Sequence, residues 1–339
     1  MQMLLDAVKA GENLSPVQVQ VAVSWLANPE AGTSPKGLFL EALHQKGETA
    51  EEIAAFAKAL LALAVTPQLD KASLPGPTID VCGTGGDRLE LFNISTASMF
   101  LLAAGGAVVV KHGNRAVTSQ CGGADVLEAL GVRIELSPEE LSECVKRHGL
   151  GFLFAPRYHP AFRTIGPVRR GLADRGIATV FNLLGPLLNP VRPDYQLVGV
   201  YDAELLPRYG EALAQMGRKR AWAVHGSGAD ELTLAGPAQG IAVEGGKLSK
   251  ITIHPAHFGL PHASVEKLRG GGKKENALIL EAILSGKDNG PRAQAVALNA
   301  AAGFVITGLA KNMSEGLEKA VETLQNGQAL AKLKSLQSL

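Results

Sequence analysis

The sequence predicts an α/β protein with a small N-terminal helical domain and a large, mainly parallel-sheet domain flanked by helices. Three observations carry that expectation. Residues 1–65 hold helix signals and no strand signal. A linker rich in proline and glycine follows, Thr66 to Pro77. From Thr78 to His225 short apolar strands then alternate with helices, the pattern of a sheet covered on both faces. The expected division is residues 1–70, joined by helices from about 160–190, and residues 76–339.

In the helical part, Ser15-Pro16 is an N-cap followed by proline at the first helical position, and Val17 to Ala27 continues the helix. Ser34-Pro35 repeats the device. Thr49 with Glu52 is a capping box that opens Ala50 to Ala64, and Gly11 and Gly47 sit where helices stop. The apolar faces of so short a domain are too small for a private core and are expected to meet another surface. Strands are expected at Thr78–Cys82, Ala107–Val110, Arg133–Leu136, Gly151–Ala155, Gln196–Val200 and Ala221–His225. Between them lie helices Ser95–Ala104, Ala124–Leu130, Pro138–His148, Pro160–Asp174 and Ala203–Met216. Ser137 caps Pro138–His148 and Gly149 stops it. Beyond Leu234 short polar strands turn at Gly240, Gly245 and Gly246, and the glycine-rich Lys267 to Lys274 reads as mobile. Helices Glu275–Leu284, Pro291–Thr307 and Ser314–Gln325 close the chain, and no internal repeat is visible.

Composition excludes several classes. The 339 residues are 46% hydrophobic and 19% charged, normal for a soluble globular chain. The net charge of +1 gives no reason to expect nucleic acid or an acidic membrane as partner. Met99 to Val110 is the longest apolar run, too short for the ~20 residues that span a bilayer. The three cysteines, Cys82, Cys121 and Cys144, form no C-x-x-C pair, so a reducing cytoplasm is the expected location. Asn93-Ile94-Ser95 matches a glycosylation acceptor, read as coincidence in a chain with no secretory signal.

Asp80 to Gly123 carries the chemistry. Gly83-Thr84-Gly85-Gly86-Asp87 follows a strand, Asn93-Ile94-Ser95-Thr96 opens a helix, and Lys111-His112-Gly113-Asn114-Arg115 follows the next strand. Glycines let bare N–H groups approach a ligand, and a helix start favours an anion. Lys111 and Arg115 add positive charge. The loop is neither a Walker pattern, since no Gly-Lys-Ser/Thr follows, nor a dinucleotide fingerprint, since Asp87 stands at the third glycine. From the residues alone the reading reaches a phosphorylated ligand on an α/β scaffold. Elsewhere, Asp230-Glu231 follows a strand end, and Arg169 and Arg170 follow His159-Pro160. Taken alone, the first reads as a solvated pair and the second as a solvated basic turn.

These segments, with Phe181-Asn182-Leu183-Leu184-Gly185-Pro186-Leu187-Leu188-Asn189-Pro190, resemble the signature of the anthranilate phosphoribosyltransferase family. The motifs stand in the family's order and spacing, and the likeness runs to about Gly308. It implies transfer of phosphoribose from phosphoribosyl pyrophosphate to the amine of anthranilate, with release of pyrophosphate, in tryptophan biosynthesis. It implies that the helical domain meets the same domain of a second subunit, making a homodimer.

The resemblance also assigns residues. Gly83, Gly86, Asp87, Asn93, Ile94, Ser95, Thr96, Lys111, His112, Gly113, Asn114, Arg115, Thr118 and Ser119 would bind phosphoribosyl pyrophosphate. Gly83, Asn114, His159 and Arg169 would meet anthranilate, with Arg169 on its carboxylate, a contact that suits a planar guanidinium. Ser95, Asp230 and Glu231 would hold Mg2+, an ion that suits phosphate and carboxylate oxygens. Lys111, His112, Asn114 and Arg169 form the catalytic group. His112 or His159 could relay a proton, although an aromatic amine is nearly uncharged and needs little deprotonation.

Some positions depart from the family pattern. Leu91 stands where threonine is common and Arg88 where a small residue is. Gln120, Cys121 and Gly123 replace a basic residue and two serines, and extra residues surround Ala173–Gly176. Two alternatives remain at this level. A pyrimidine nucleoside phosphorylase-like enzyme shares the architecture but carries a Lys-x-Ser-Gly-Arg-type segment and lacks the Phe181–Pro190 signature. A non-catalytic relative that binds nucleic acid fits poorly with the near-neutral charge and the intact Asp230-Glu231.

Overall fold

The computed structural model describes residues 1–116 and 120–339. One sheet of seven strands runs through it. The strands are β1 (Thr78–Gly83), β2 (Val108–Gly113), β3 (Leu150–Phe154), β4 (Tyr195–Gly199), β5 (Arg220–Gly226), β6 (Ala238–Glu244) and β7 (Lys247–Ile253). Their spatial order is β3-β2-β1-β4-β5-β6-β7. From β3 to β5 neighbours are parallel, and β6 and β7 add an antiparallel hairpin. The order reverses between β1 and β4, the switch point where open α/β sheets bind ligands at their carboxyl ends.

The N-terminal helices are α1 (Gln2–Lys9), α2 (Pro16–Ala27), α3 (Thr33–Lys46) and α4 (Ala50–Ala62). Ser15 with Gln18 and Thr49 with Glu52 form reciprocal capping boxes, as their spacing predicts. Ser34-Pro35 does not cap α3: the helix starts two residues earlier, at Thr33, with Gly32 as N-cap and no side-chain hydrogen bond. These helices find their apolar partners within the chain. They share one core with α9 (Phe162–Ala173), α10 (Phe181–Leu184) and α11 (Leu206–Gln215), and with Val198, Ala221, Ala223 and Val243 of the sheet.

The other face packs against α5 (Ile94–Ala104), α6 (Gly123–Ala129), α7 (Pro138–His148), α12 (Lys273–Leu284), α13 (Pro291–Thr307), α14 (Met313–Gln325) and α15 (Gln328–Gln337). Helix α13 is apolar nearly all round and lies buried through the middle of this layer. A one-turn helix, α8 (Ala155–Tyr158), leads from β3 toward α9.

Four further expectations need correction. Arg133–Leu136 is extended but pairs with no strand among the described residues: Val132, Ile134 and Leu136 are buried while Arg133 and Glu135 face outward. Its alternation records packing against the core beyond the sheet edge. Gly240 lies inside β6, where a side chain would meet the Ala223 carbonyl at 2.7 Å. A fourth C-terminal helix, α15, follows the expected three. The Lys267–Lys274 stretch is tied down: Gly270 N–H donates to the Glu90 carbonyl at 2.9 Å and Gly271 N–H to Asn276 Oδ1 at 2.8 Å. Its glycines serve close approach, since a Cβ on Gly270 would lie 2.8 Å from Phe92 Cα.

Candidate active site at the sheet switch point

The carboxyl ends of β1 and β4 are notched by glycine. Gly83 and Gly199 pair across the two strands. A Cβ on Gly199 would sit 1.4 Å from the Asp230 carbonyl oxygen, and one on Gly83 would sit 2.1 Å from Asp230 Oδ2. Asp230 therefore enters the notch only because both positions lack a side chain. The glycine loop is moored to β4: Thr84 N–H donates to the Gly199 carbonyl at 2.9 Å, and Thr84 Oγ1 accepts from Tyr201 N–H at 3.1 Å.

Both acids reach the backbone donors that the sequence offers to an anion. Gly85 N–H donates to Asp230 Oδ2 at 2.6 Å, and Ser95 N–H donates to Glu231 Oε1 at 3.0 Å. The start of α5 is thus satisfied by a carboxylate from across the cleft. Asn93 makes no side-chain cap. Its amide instead donates to the Cys121 carbonyl at 3.0 Å and its Oδ1 accepts from Asn276 at 3.0 Å, which ties the two loops to α12. Ile94 and Thr96 are buried beneath this helix start.

The acids crowd one another. Burial pushes Glu231 up to about 8, helped by the charge of Asp230 and opposed by Lys111 and Ser95. Asp230 is raised as well, first by burial and then by Asp87 beside it. Asp87 also accepts from Leu89 N–H at 3.2 Å. Lys111 is buried, and its ammonium donates to the Val81 carbonyl and to Ser95 Oγ at 3.2 Å. Among the described residues no three His, Cys, Asp or Glu side chains enclose a metal by themselves. An ion here would share Ser95, Asp230 and Glu231 with oxygens of a ligand, and the unneutralised acid cluster suits a hard cation.

On the other side of β1 and β2 the surroundings are dry. His112 and His159 meet edge to face, with ring centroids 5.2 Å apart. His159 meets Phe162 at 5.5 Å, and Phe162 meets Phe181 at 5.7 Å. The Arg169 guanidinium lies over Phe181 at 5.2 Å and Phe162 at 5.9 Å. Arg170, the next residue, is exposed. Burial lowers His112 to about 3, helped by His159, and lowers His159 to about 4. Both rings are therefore neutral near pH 7, and both Nε2 atoms are buried without a hydrogen-bond partner.

Asn114 is exposed between the two halves, its Oδ1 accepting from Arg115 N–H at 2.8 Å. The structure draws Arg115 away from the cradle. It donates to Glu128 at 2.8 Å and lies over the Phe154 ring at 4.5 Å. A Cβ on Gly113 would press on Phe152 at 2.8 Å, and one on Gly123 would reach Thr96 Oγ1 at 3.0 Å. Gly86 lies beside Tyr201. Gln120 donates to Glu90 at 3.0 Å, while Arg88 and Glu90 hold positive φ of 57° and 56° in the glycine loop. Thr118 and Ser119 lie outside the described residues.

Sequence reasoning missed Gly199, Thr84, Phe162 and the buried polar residues Asp80, Gln196 and Arg218. A glycine closing an apolar strand was a usable signal for the first. An acid and an amide inside apolar strands were the signal for Asp80 and Gln196.

Comparisons with known proteins identify the fold and the family. Residues 2–64 match the helical bundle domain of a glycosyl transferase family, and residues 75–330 match its a/b domain. The chain is 44% identical over 334 residues to an anthranilate phosphoribosyltransferase of Chloroflexus aurantiacus, covering 98% of this chain and 96% of that protein. It is 43% identical over 334 residues to the enzyme of that name from Methanocorpusculum labreanum, with the same coverage of 98% and 96%. The crystal structure of anthranilate phosphoribosyltransferase from Thermus thermophilus superposes with a TM-score of 0.90 at 40% identity, over 99% of this chain and 98% of that one. The Saccharomyces cerevisiae enzyme in complex with PRPP and Mg superposes with a TM-score of 0.87 at 31% identity, over 100% and 99%.

Proposed function

The chain belongs to the anthranilate phosphoribosyltransferase family, and from that premise we propose how its cleft divides the work. The enzyme moves phosphoribose from phosphoribosyl pyrophosphate to the anthranilate amine, a glycosyltransferase reaction of tryptophan biosynthesis. Positive charge builds on the ribose and negative charge on the departing pyrophosphate. Holding both substrates and neutralising the leaving group therefore carries most of the catalysis.

The loops Gly83–Asp87 and Asn93–Thr96, with Lys111 to Asn114, take phosphoribosyl pyrophosphate. Ser95, Asp230 and Glu231 would hold Mg2+, which would supply positive charge for the pyrophosphate oxygens. The single observation that carries this reading is the crowding of Asp87, Asp230 and Glu231 around two backbone N–H groups. Such acids would repel a phosphate unless a cation stood between them. Lys111, already buried beside Ser95, adds fixed positive charge on the same side.

Anthranilate then lies in the dry half. Arg169 faces its carboxylate, Phe162 and Phe181 flank that guanidinium, and Gly83 and Asn114 stand at the border with the donor. The amine presents its N–H toward His112 and His159. A neutral imidazole can accept that hydrogen bond, and the near-neutral amine needs no strong base.

The structural relatives solved with PRPP and Mg or with 4-fluoroanthranilate favour the same partners for this chain. We extend the reading to a homodimer joined through residues 1–70, with helices from about 160–190 as their support and residues 76–339 as the catalytic part. Val17 and Val21 on α2 and Leu38 on α3 remain exposed there, at 71%, 52% and 50%. No described helix is long and apolar enough to cross a membrane. All three cysteines are free and buried, which suits a cytoplasmic enzyme. The test is loss of anthranilate fluorescence on mixing with phosphoribosyl pyrophosphate, with and without magnesium. No loss under any condition would reject the assignment.

A further inference from the structure

Beneath the dry half of the cleft lies a buried polar network that the reaction, as described, does not use. Asp80 on β1 is fully buried, as are Asn189 and Gln196. One Asp80 oxygen accepts from the backbone N–H of His112 at 3.2 Å, and the other accepts from Asn189 Nδ2 at 2.9 Å. Asn189 Nδ2 also donates to the Val110 carbonyl at 2.7 Å, and its Oδ1 accepts from Val191 N–H at 3.0 Å. Gln196 pairs with Asp80 in register across β1 and β4. Its amide donates to the Pro186 carbonyl at 2.6 Å, and Arg218 Nε donates to its Oε1 at 3.0 Å.

The network grips one segment from two ends. Asn189 and Pro186 both belong to the stretch that runs on from α10. Between α10 and Pro186 sits Gly185, whose carbonyl lies 3.2 Å from His112 Nδ1. The imidazole is thus fixed twice, through its own backbone N–H by Asp80 and through Nδ1 by a carbonyl whose position Asp80, Asn189 and Gln196 set. A carbonyl can only accept, so Nδ1 must carry the proton. In a neutral ring Nε2 is then a bare acceptor, and Nε2 is the atom left buried with no partner. A buried acceptor without a partner is unfavourable unless a ligand's N–H completes it. A buried carboxylate is similarly costly unless it organises its surroundings.

We propose that Asp80 and Asn189 are positioning residues that hold His112 in the Nδ1–H tautomer, with Nε2 bare and aimed into the acceptor half of the cleft. The Nδ1 proton rests on geometry, and the bare Nε2 on the neutrality of the buried ring. Its use toward the anthranilate amine rests on the reading of that half given above.

The test is the ring-nitrogen spectrum of His112 in 15N-histidine-labelled protein near pH 7.5, assigned with His112→Gln. The native protein should show a protonated Nδ1 and an unprotonated Nε2. A protonated Nε2 in the native protein overturns the proposal at once. In Asp80→Asn and Asn189→Ala the signal should move toward a mixture of tautomers. The KM for anthranilate should rise about tenfold, as when a histidine loses an outer hydrogen-bond partner, while that for phosphoribosyl pyrophosphate changes less. Where Asp80→Asn does not fold, Gln196→Met supplies the same readout by releasing the Pro186 carbonyl while leaving Asp80 intact. Folded variants with an unchanged His112 spectrum overturn the proposal. A shifted spectrum with an unchanged anthranilate KM supports the clamp and overturns the acceptor reading of His112.

Discussion

The two halves of the cleft carry opposite imbalances. Around the β1 and β4 ends three acids gather, and two of them sit on backbone N–H groups, with their carboxyls held above the ordinary range. Across β2 the side chains are neutral imidazoles and phenyl rings around one guanidinium, which burial alone lowers. One side has crowded carboxyls that ionise fully only beside a cation, and the other has a positive charge awaiting an anion. On the proposed reading the substrates would supply the complements, a metal-bound pyrophosphate for the first and a carboxylate for the second. The contrast teaches that binding, rather than proton transfer, is what each half is built for.

Neutralising the acids is the strongest way to break that contrast. Asp230→Asn with Glu231→Gln keeps shape and removes charge. The double variant should fold, lose about 100-fold or more in kcat, and be partly rescued by raised magnesium. Rates measured by anthranilate fluorescence across a magnesium series give the answer. A near-normal rate with unchanged magnesium dependence would reduce the pair to a structural turn.

Arg169→Ala tests the other half. A carboxylate losing its charged partner in a dry site forfeits ~2–5 kcal/mol, so the anthranilate KM should rise about 30-fold or more. The requirement for phosphoribosyl pyrophosphate should move far less. If only the latter moved, Arg169 would belong to the donor half.

The glycine pair separates geometry from charge. In Gly199→Ala the new Cβ meets the Asp230 backbone at 1.4 Å, so the main chain itself must shift. Overpacking of this kind costs ~1–3 kcal/mol and should lower both melting temperature and kcat. In Gly83→Ala the clash at 2.1 Å is with the Asp230 side chain, which can rotate. That variant should lose activity with a smaller loss of stability. Equal losses of stability in the two would mean that Asp230 is as rigid as its backbone.

The donor half was the more legible in the sequence, because a phosphate cradle is written locally. Gly83 to Asp87, Asn93 to Thr96 and Lys111 to Asn114 each lie at one strand or helix end. The helical caps at Ser15 and Thr49 were readable for the same reason. The acceptor half draws on β2, α9 and α10, which only the fold brings together, so the residues alone gave a solvated basic turn for Arg169. Resemblance to a family supplied the expectation of a carboxylate partner that local chemistry could not. The occupation of the Ser95 N–H by Glu231 and the turning of Arg115 onto Glu128 were invisible, since both depend on partners distant in sequence or on side-chain direction. Arg133–Leu136 shows the converse: its alternation is a true record of burial, but pairing needs a neighbouring strand.

The smallest effect, and the one that sets the two halves directly against each other, is the pH dependence of stability without ligands. His112 and His159 fall to about 3 and about 4 from an ordinary 6.5. Below that ordinary value the unfolded chain binds more protons than the folded one, so stability falls as pH drops from about 6.5. Glu231 rises to about 8 from an ordinary 4.5. Above that ordinary value the folded chain binds more protons, so its contribution is lost as pH climbs through 8. The two limbs overlap from about pH 4.5 to 6.5, so the metal-free protein should melt highest there, with falls of roughly 2–4 °C toward either side. His159→Gln should flatten the acid limb alone. Glu231→Gln should flatten the alkaline limb, and magnesium should do the same in the native protein, because a bound cation favours the ionised carboxyls. Melting curves from pH 5 to 8.5, with and without magnesium, decide it. An alkaline limb that survives both Glu231→Gln and magnesium would show that the acids are not what limits the donor half.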